Sequence, residues 1–242
     1  HGVDLLFVCT KYTQLRDSLP DIETITGEHT MVVSLLNGVD SEELIGQRIG
    51  MEHMIYSLIR IASHRIGNSI HFSLPKGYNG IYIGIPNQPA CQDPRLAAIA
   101  EIFADTPVTL HLSDDILLDM WDKFGLNVSR NLPQAILGVG IGVYDDSIYA
   151  DAIMRKMRHE VVLVANAKGI PLTDEFKAAK WLPSQRYSTL QDLDAHRHTE
   201  IDMFSGALIR MGKEVGVECP YNEMTYNLIK ALEEKNEGKF DY

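Results

Sequence analysis

Apolar residues recur along this chain in two rhythms, and the change from one to the other organises it. Leu5 to Cys9 is a continuous apolar run, and so is Met31 to Leu36. Unbroken runs of that length are the pattern of strands covered on both faces in a parallel sheet. A polar-amphipathic stretch over about 12–27 separates them, so the order strand, helix, strand predicts a βαβ unit with a right-handed crossover. From about residue 51 the runs alternate instead. Met54-Ile-Tyr-Ser-Leu-Ile-Arg-Ile, Ser69-Ile-His-Phe-Ser-Leu and Asn79-Gly-Ile-Tyr-Ile-Gly-Ile, punctuated by Gly67-Asn68 and Lys76-Gly77, predict short strands at a more open, antiparallel edge. Asp93 to Phe103 predicts a helix with Asp93 as N-cap before Pro94, and Val108 to Leu112 a last strand.

After Ser113, a cap candidate, the rhythm is helical throughout. Ile116, Leu117, Met120, Trp121 and Phe124 share one face. Asp146 to Ala167 repeats the spacing with Ile148, Ile153, Met157, Val161 and Val164, and stops at Gly169 and Pro171. Two more helices are expected at about 198–215, stopped by Gly216, and 221–236. The expected fold class is an α/β Rossmann-like domain over 1–110 followed by an all-α domain over 111–242. A sheet begun by only two parallel strands is unstable alone, so further strands are expected before Asp4 and the α/β domain is expected to be incomplete.

Composition narrows the partners. Lys plus Arg number 22 against 33 Asp plus Glu, a formal charge of −11, which argues against nucleic acid, whose affinity rests on clustered cations. No apolar run approaches the roughly 20 residues that span a bilayer, so no membrane partner is expected. Cys9, Cys91 and Cys219 are odd in number and far apart, which fits reduced cytoplasmic thiols better than disulfides. No metal is expected either: there is no CxxC or HExxH, and His196 and His198, two apart, do not share a helix face. Gly138-Val-Gly-Ile-Gly142 lacks the spacing and context of a dinucleotide fingerprint.

Three clusters could carry chemistry. Lys11 follows the first strand and Asn37-Gly38 the second, which in a parallel sheet places them on the same carboxyl edge, where α/β sheets bind ligands. Singly, a strand-end lysine is usually solvated and Asn-Gly is usually a turn; the shared edge is what raises the functional reading. Lys123, Asn127 and Asn131 are four apart in the helix after Ser113. At 100° per residue each step of four drifts by about 40°, so they form one stripe beside Met120, Trp121 and Phe124. Asparagine is a poor helix former, and two on one face suggest a purpose, although Asn131 could simply stand near a helix end before Pro133. Ser188 and Thr189 precede a helix, and Glu200 and Asp202 are expected in the first turns of the next, where carboxylates also serve as dipole partners.

These residues resemble ketopantoate reductase (2-dehydropantoate 2-reductase) over almost the whole chain. Asp4-Leu-Leu-Phe-Val-Cys-Thr-Lys11 is similar to the family's strand ending in lysine, and Leu36-Asn37-Gly38-Val39 with Glu42-Glu43 to its Asn-Gly loop. Trp121-Asp-Lys123-Phe-Gly-Leu-Asn127-Val-Ser-Arg-Asn131 is similar to its W-x-K-x-x-x-N-x-x-x-N helix. Ser188-Thr-Leu-Gln-Asp192 and Arg197-His-Thr-Glu200-Ile-Asp202, then Gly206, Gly216 and Pro220, are similar to its C-terminal signature. The resemblance implies NADPH-dependent reduction of ketopantoate in the route to coenzyme A. It implies that residues 1–110 are the later part of the dinucleotide-binding domain, with the glycine-rich loop upstream of Asp4. It implies Lys123 as general acid and Glu200 as the carboxylate that holds that lysine or a substrate hydroxyl. Ser188 would bind the substrate carboxylate, Asn127 and Asn131 would orient substrate, and Lys11 and Asn37 would lie beside NADP. The family often has a further asparagine where this chain has Gly140-Ile-Gly142, which leaves room for another 2-oxo acid. The expected partner is therefore a small 2-oxo acid, and a homodimer is carried as the expected assembly. The competing readings are a related 2-oxo acid or 3-hydroxy acid dehydrogenase and a catalytically silent NADP-binding or interaction protein.

Overall fold

The computed structural model describes residues 2–61, 63–66, 68–72, 77, 79–176 and 182–242. Gly67, Lys76 and the Ser73-Leu74 end of the second alternating run lie outside the described residues. The chain forms two compact units, residues 1–120 and 121–242. The sequence puts the change at about 110; the units divide ten residues later, inside a helix.

The first unit is built on a five-stranded sheet of order β1-β2-β3-β6-β7. Strands β1 (Leu5–Val8), β2 (Met31–Ser34) and β3 (Met54–Arg60) run parallel, with Leu5 opposite Met31 and Val32 opposite Met54. The antiparallel edge begins one strand later than the alternation suggests. It is β6 (Gly80–Gly84) that reverses against β3, and β7 (Leu110–Leu112) that follows β6 in parallel. Strand β3 is buried along most of its length, so its partial alternation reflects cover on both faces. Between β3 and β6 the chain makes a separate hairpin, β4 (Ser63–Ile66) with β5 (Ser69–Phe72).

Helix α1 (Tyr12–Ile25) joins β1 to β2, as the polar-amphipathic stretch predicts, and buries Leu15 and Ile22. Helix α2 (Ser41–Ile49) has no counterpart in the sequence reading. Helix α3 (Pro94–Phe103) is capped as expected: the Asp93 carboxylate accepts the Arg95 N–H at 3.0 Å and pairs with its guanidinium at 2.7 Å. Leu96 and Ile99 of α3 complete a core with Val33, Ile55, Ile81 and Ile83.

Buried within this unit is a carboxyl group the sequence gives no reason to expect there. Glu42, in the first turn of α2, is 1% exposed and accepts the Ser41 hydroxyl at 2.9 Å. The Ser41 hydroxyl meets that of Ser34 at 2.8 Å, and Ser57 donates to the Ser34 carbonyl. Burial pushes the Glu42 carboxyl from its ordinary 4.5 up to about 7, against the lowering pull of its hydrogen bonds. Between those two values the folded protein holds a proton that the unfolded chain has released, so stability falls as pH rises through that window. The loss is complete above pH 7 and is on the order of 3 kcal/mol. Glu42→Gln should remove this slope and leave the variant the more stable protein at pH 8, as read from urea midpoints at pH 6 and pH 8. Parallel slopes for the two proteins would refute the assignment.

The second unit is helical. Helix α4 (Ile116–Leu126) begins one residue after Asp115, whose carboxylate accepts the Leu118 N–H at 3.2 Å. Asp115 is therefore the cap, and Ser113 instead donates to Asp119 at 2.7 Å. The helix does not stop before Pro133. It passes through a π-helical turn, Asn127–Asn131, into α5 (Leu132–Leu137), which ends at left-handed Gly138, φ 69°. The cause is local. Pro133 has no N–H to offer the Ser129 carbonyl four residues back, and the buried Ser129 hydroxyl donates to the Gly125 carbonyl at 2.7 Å. Both features loosen the α-helical ladder at this point, and a wider turn relieves it.

Short α6 (Val143–Asp146) leads to α7 (Ile148–Ala167), where Ser147 accepts the Ala150 N–H at 3.3 Å. Helix α8 (Ser188–Asp194) begins at Ser188 itself, where the sequence places Ser188 and Thr189 ahead of a helix. Helix α9 (Ser205–Val215) starts seven residues later than expected and ends at left-handed Gly216; α10 (Pro220–Asn236) follows. Met154, Met157, Val161 and Val164 of α7, Leu208 of α9 and Ile229 of α10 are all buried. Among the described residues no helix is long and apolar enough to cross a membrane.

Candidate active site

In the first unit, parallel pairing of β1 with β2 sends both chains off the sheet at the same edge, and the Leu35 N–H extends the ladder to Val8 O at 2.9 Å. Lys11, exposed, precedes α1, and half-buried Asn37 opens the loop after β2. The two segments are tied by the Tyr12 hydroxyl, which donates to Asp40 at 2.6 Å. The edge therefore brings Lys11 and Asn37 into neighbouring loops, as parallel strands require. Thr10 Oγ1 is buried there with no hydrogen-bond partner among the described residues. A buried donor on this carboxyl edge, where α/β sheets bind ligands, suits an anionic or amide-bearing group.

In the second unit the π turn presents the polar stripe. Lys123 lies in the last turn of α4 and is half-buried, as is Asn127, while Asn131 is 2% exposed. Because the ladder changes from α to π between them, the uniform 40° drift expected for three residues in one α-helix does not hold. Asn131 draws its partners from far along the chain. Its Nδ2 donates to Ser188 Oγ and its Oδ1 accepts the Thr189 N–H, both at 3.3 Å. One turn further on, buried Gln134 donates to Gln185 O and accepts the Tyr187 N–H, both at 2.8 Å. Two side-chain amides on one helical run thus hold segment 185–189 and orient the start of α8. Ser188 is exposed at that start, and Thr189 beside it keeps a buried hydroxyl without a hydrogen-bond partner among the described residues.

Glu200 is half-buried in an irregular turn before α9, not in the first turns of a helix as the sequence suggests. Its carbonyl accepts the N–H groups of Met203 at 3.0 Å and Phe204 at 3.2 Å, which closes the turn. Asp202 is no dipole partner of α9: it accepts the Tyr226 hydroxyl at 2.7 Å and pairs with Lys230 at 3.3 Å, both from α10. His198 likewise pairs with Glu233 and Glu237, at 3.4 and 2.9 Å. Among the described residues no group of three His, Cys, Asp or Glu side chains could hold a metal ion.

Sequence reasoning passes over Gln134 and the guanidinium of Arg158, 1% exposed. Arg158 bonds Asp122 Oδ1 at 3.3 Å and Thr173 O at 2.8 Å and stands 5.0 Å from the Phe176 ring. Arg130 covers the same ring at 4.4 Å. One signal for Arg158 was present: Gly125 interrupts an otherwise strong helix, and a Cβ there would lie 2.1 Å from Arg158 Nη1. The glycines at 140 and 142 have a comparable reason, since Cβ atoms there would meet Pro183 and Ser184; the Gly142 N–H bonds Pro183 O at 2.9 Å.

A parallel-stranded α/β unit followed by a helical unit is the two-domain plan of many dinucleotide-dependent oxidoreductases, in which the site and not the fold sets the reaction. Within that class, the chain belongs to the ketopantoate reductase PanE/ApbA family. The family model matches residues 1–88 and the model of its C-terminal domain residues 115–233. The chain is similar to the 2-dehydropantoate 2-reductase of Streptococcus pyogenes serotype M3, with 29% identity covering 95% of this chain and 76% of that protein. Among solved structures it is similar to a PanE/ApbA family ketopantoate reductase from Ralstonia eutropha JMP134. There the TM-score is 0.82 and the identity 25%, over 98% of this chain and 78% of that one. It is equally similar to a D-mandelate dehydrogenase in a ternary structure with NADH and anilino(oxo)acetate, with TM-score 0.84, 25% identity and the same coverage.

Proposed function

We propose that this protein reduces 2-dehydropantoate to pantoate with NADPH. Family membership supports the reaction class. The observation in this chain that carries the reading is Asn131, a buried amide joining the helical run of Lys123 to Ser188 and Thr189. When bound, the dinucleotide supplies hydride to the substrate carbonyl carbon. Lys11, Asn37 and the Thr10 hydroxyl would hold it on the sheet edge. Negative charge then grows on the carbonyl oxygen, where the Lys123 ammonium stabilises it and delivers a proton from Nζ. Glu200 orients that ammonium or a substrate hydroxyl. The Ser188 hydroxyl binds the substrate carboxylate, and Asn127 and Asn131 hold the substrate through their amides.

A second reading, reduction of another 2-oxo acid, is favoured by the equal likeness to the mandelate enzyme and by glycines at 140 and 142. Oxidation of NADPH and of NADH by the full-length protein, followed with 2-dehydropantoate and with a panel that includes the 2-oxo acid of mandelate, separates the two. Highest kcat/KM with NADPH and 2-dehydropantoate is expected; no oxidation with any acid would sink both readings.

Asn131→Asp keeps an acceptor for the Thr189 N–H but loses the donation to Ser188 and adds a negative charge. A hydrogen bond of about 1.5 kcal/mol corresponds to roughly tenfold in affinity, so KM for the 2-oxo acid should rise about tenfold or more. KM for the dinucleotide should stay the same, and steady-state kinetics read both.

A further inference from the structure

We infer that Glu233 of α10 is a positioning residue for Glu200, acting through the backbone of the turn that carries it. The inference rests on Glu200 taking part in the reaction. Glu200 stands in an irregular turn whose aim no helical or sheet ladder sets, so other groups must hold its flanks. Glu233 does so from a buried position, 5% exposed. Its Oε1 accepts both the Thr199 N–H at 2.7 Å and the Thr199 hydroxyl at 2.6 Å. The Thr199 oxygen in turn accepts the Ile201 N–H at 3.2 Å. One carboxylate oxygen thus anchors the residue before Glu200 directly and the residue after it through a single hydroxyl.

The other oxygen keeps the carboxylate in place. Glu233 Oε2 faces Lys230 Nζ at 3.2 Å and His198 Nδ1 at 3.4 Å. Lys230 also reaches Asp202, which takes the Tyr226 hydroxyl as well, so α10 grips the turn again two residues past Glu200. On the opposite flank His196 adopts left-handed backbone, φ 50°, and Arg197 pairs with buried Asp192 at 2.7 Å. A non-glycine residue in that conformation persists only where its surroundings hold it. Burial alone pushes the Glu233 carboxyl up, but the two Thr199 donors and Lys230 outweigh it and hold the group below the ordinary carboxylate range. It is therefore an anion at working pH, as an anchor for two donors and a lysine should be.

The test is a mutant cycle in the full-length enzyme, with kcat and KM measured for the 2-oxo acid at saturating dinucleotide. Glu233→Ala should lower kcat about tenfold or more with KM for the dinucleotide unchanged. Glu233→Gln, which keeps an acceptor for Thr199, should restore most of it. In a Glu200→Gln background Glu233→Ala should cost nothing further, because a group that acts only through Glu200 has nothing left to position. Multiplicative losses in the two backgrounds, or a loss that glutamine does not restore, would mark Glu233 as a general structural anchor and overturn the inference. Thr199→Val, which removes only the hydroxyl between Glu233 and Ile201, should reproduce part of the effect and serves where Glu233→Ala does not fold. Full activity in Glu200→Gln would bring down the role of Glu200 and this inference together. A deficit at Glu200 with none at Glu233 or Thr199 would bring down this inference alone.

Discussion

Lys123→Ala should lower the kcat of the full-length enzyme at least about 100-fold, the range over which a positioned general acid contributes. The physical case is specific to where Lys123 sits. It occupies the last turn of α4, immediately before the π turn, and is half-buried. A partly desolvated ammonium interacts more strongly with charge growing on a carbonyl oxygen than a fully hydrated one does. Alanine is a better helix former than lysine, so the substitution should leave α4 folded. An unchanged melting temperature would show that the loss belongs to chemistry. Turnover unchanged within a factor of a few would refute the role of Lys123, whatever else the family resemblance implies.

Asp122→Ala, one residue earlier, should act through folding instead and cost roughly 3–5 kcal/mol, the range seen when one partner of a buried ion pair is removed. Arg158 is held by the carboxylate and carbonyl of Asp122, both at 3.3 Å, and by the carbonyls of Thr173 at 2.8 Å and Glu175 at 3.4 Å. Remove the carboxylate and, among the described residues, a guanidinium 1% exposed keeps the carbonyls of Asp122, Thr173 and Glu175 as its hydrogen-bond acceptors. For a chain of this size the shift in Tm would be on the order of 10 °C. Gly125→Ala strikes the same group from the other side. Its new Cβ would stand 2.1 Å from Nη1, and any shift that relieves the clash moves the guanidinium off its acceptors. Thermal unfolding of both variants reads the effect; a fall in Tm of only a degree or two for Asp122→Ala would mean that the pair is not the anchor its burial suggests.

Much of the fold is legible from local pattern. Continuous apolar runs mark β1 and β2, and amphipathic spacing marks α1, α4 and the Met157–Val164 part of α7, although Ile148 and Ile153 of the expected α7 face are exposed. Asp93 before Pro94 and Gly216 after Val215 mark helix ends where the structure has them. These signals survive because each depends on neighbours within a turn or two of the chain. The motifs around Lys123, Asn127 and Asn131 and from Ser188 to Glu200 were legible in the same way, and they lead to the family.

What failed was of another kind. Spacing treats 113–131 as one regular helix, and only the coincidence of Pro133 with a buried Ser129 hydroxyl turns its end into a π turn. Nothing in the spacing of 40–50 announces helix α2, and Glu42, a charged residue type, is buried under a serine cluster drawn from β2, α2 and β3. Glu200 falls within the helix expected at about 198–215, whereas that helix starts only at Ser205.

By itself, then, the sequence of this protein determined its two-part architecture, most of its elements and its family, because periodicity and capping are properties of contiguous residues. Tertiary structure alone decided that Asn131 meets Ser188 across 57 residues, Glu233 meets Thr199 across 34 and Arg158 meets Asp122 across 36. The reason is physical. A buried amide, carboxylate or guanidinium must find its partner wherever the fold supplies one, and nothing in the spacing of a single chain records which distant residue that will be.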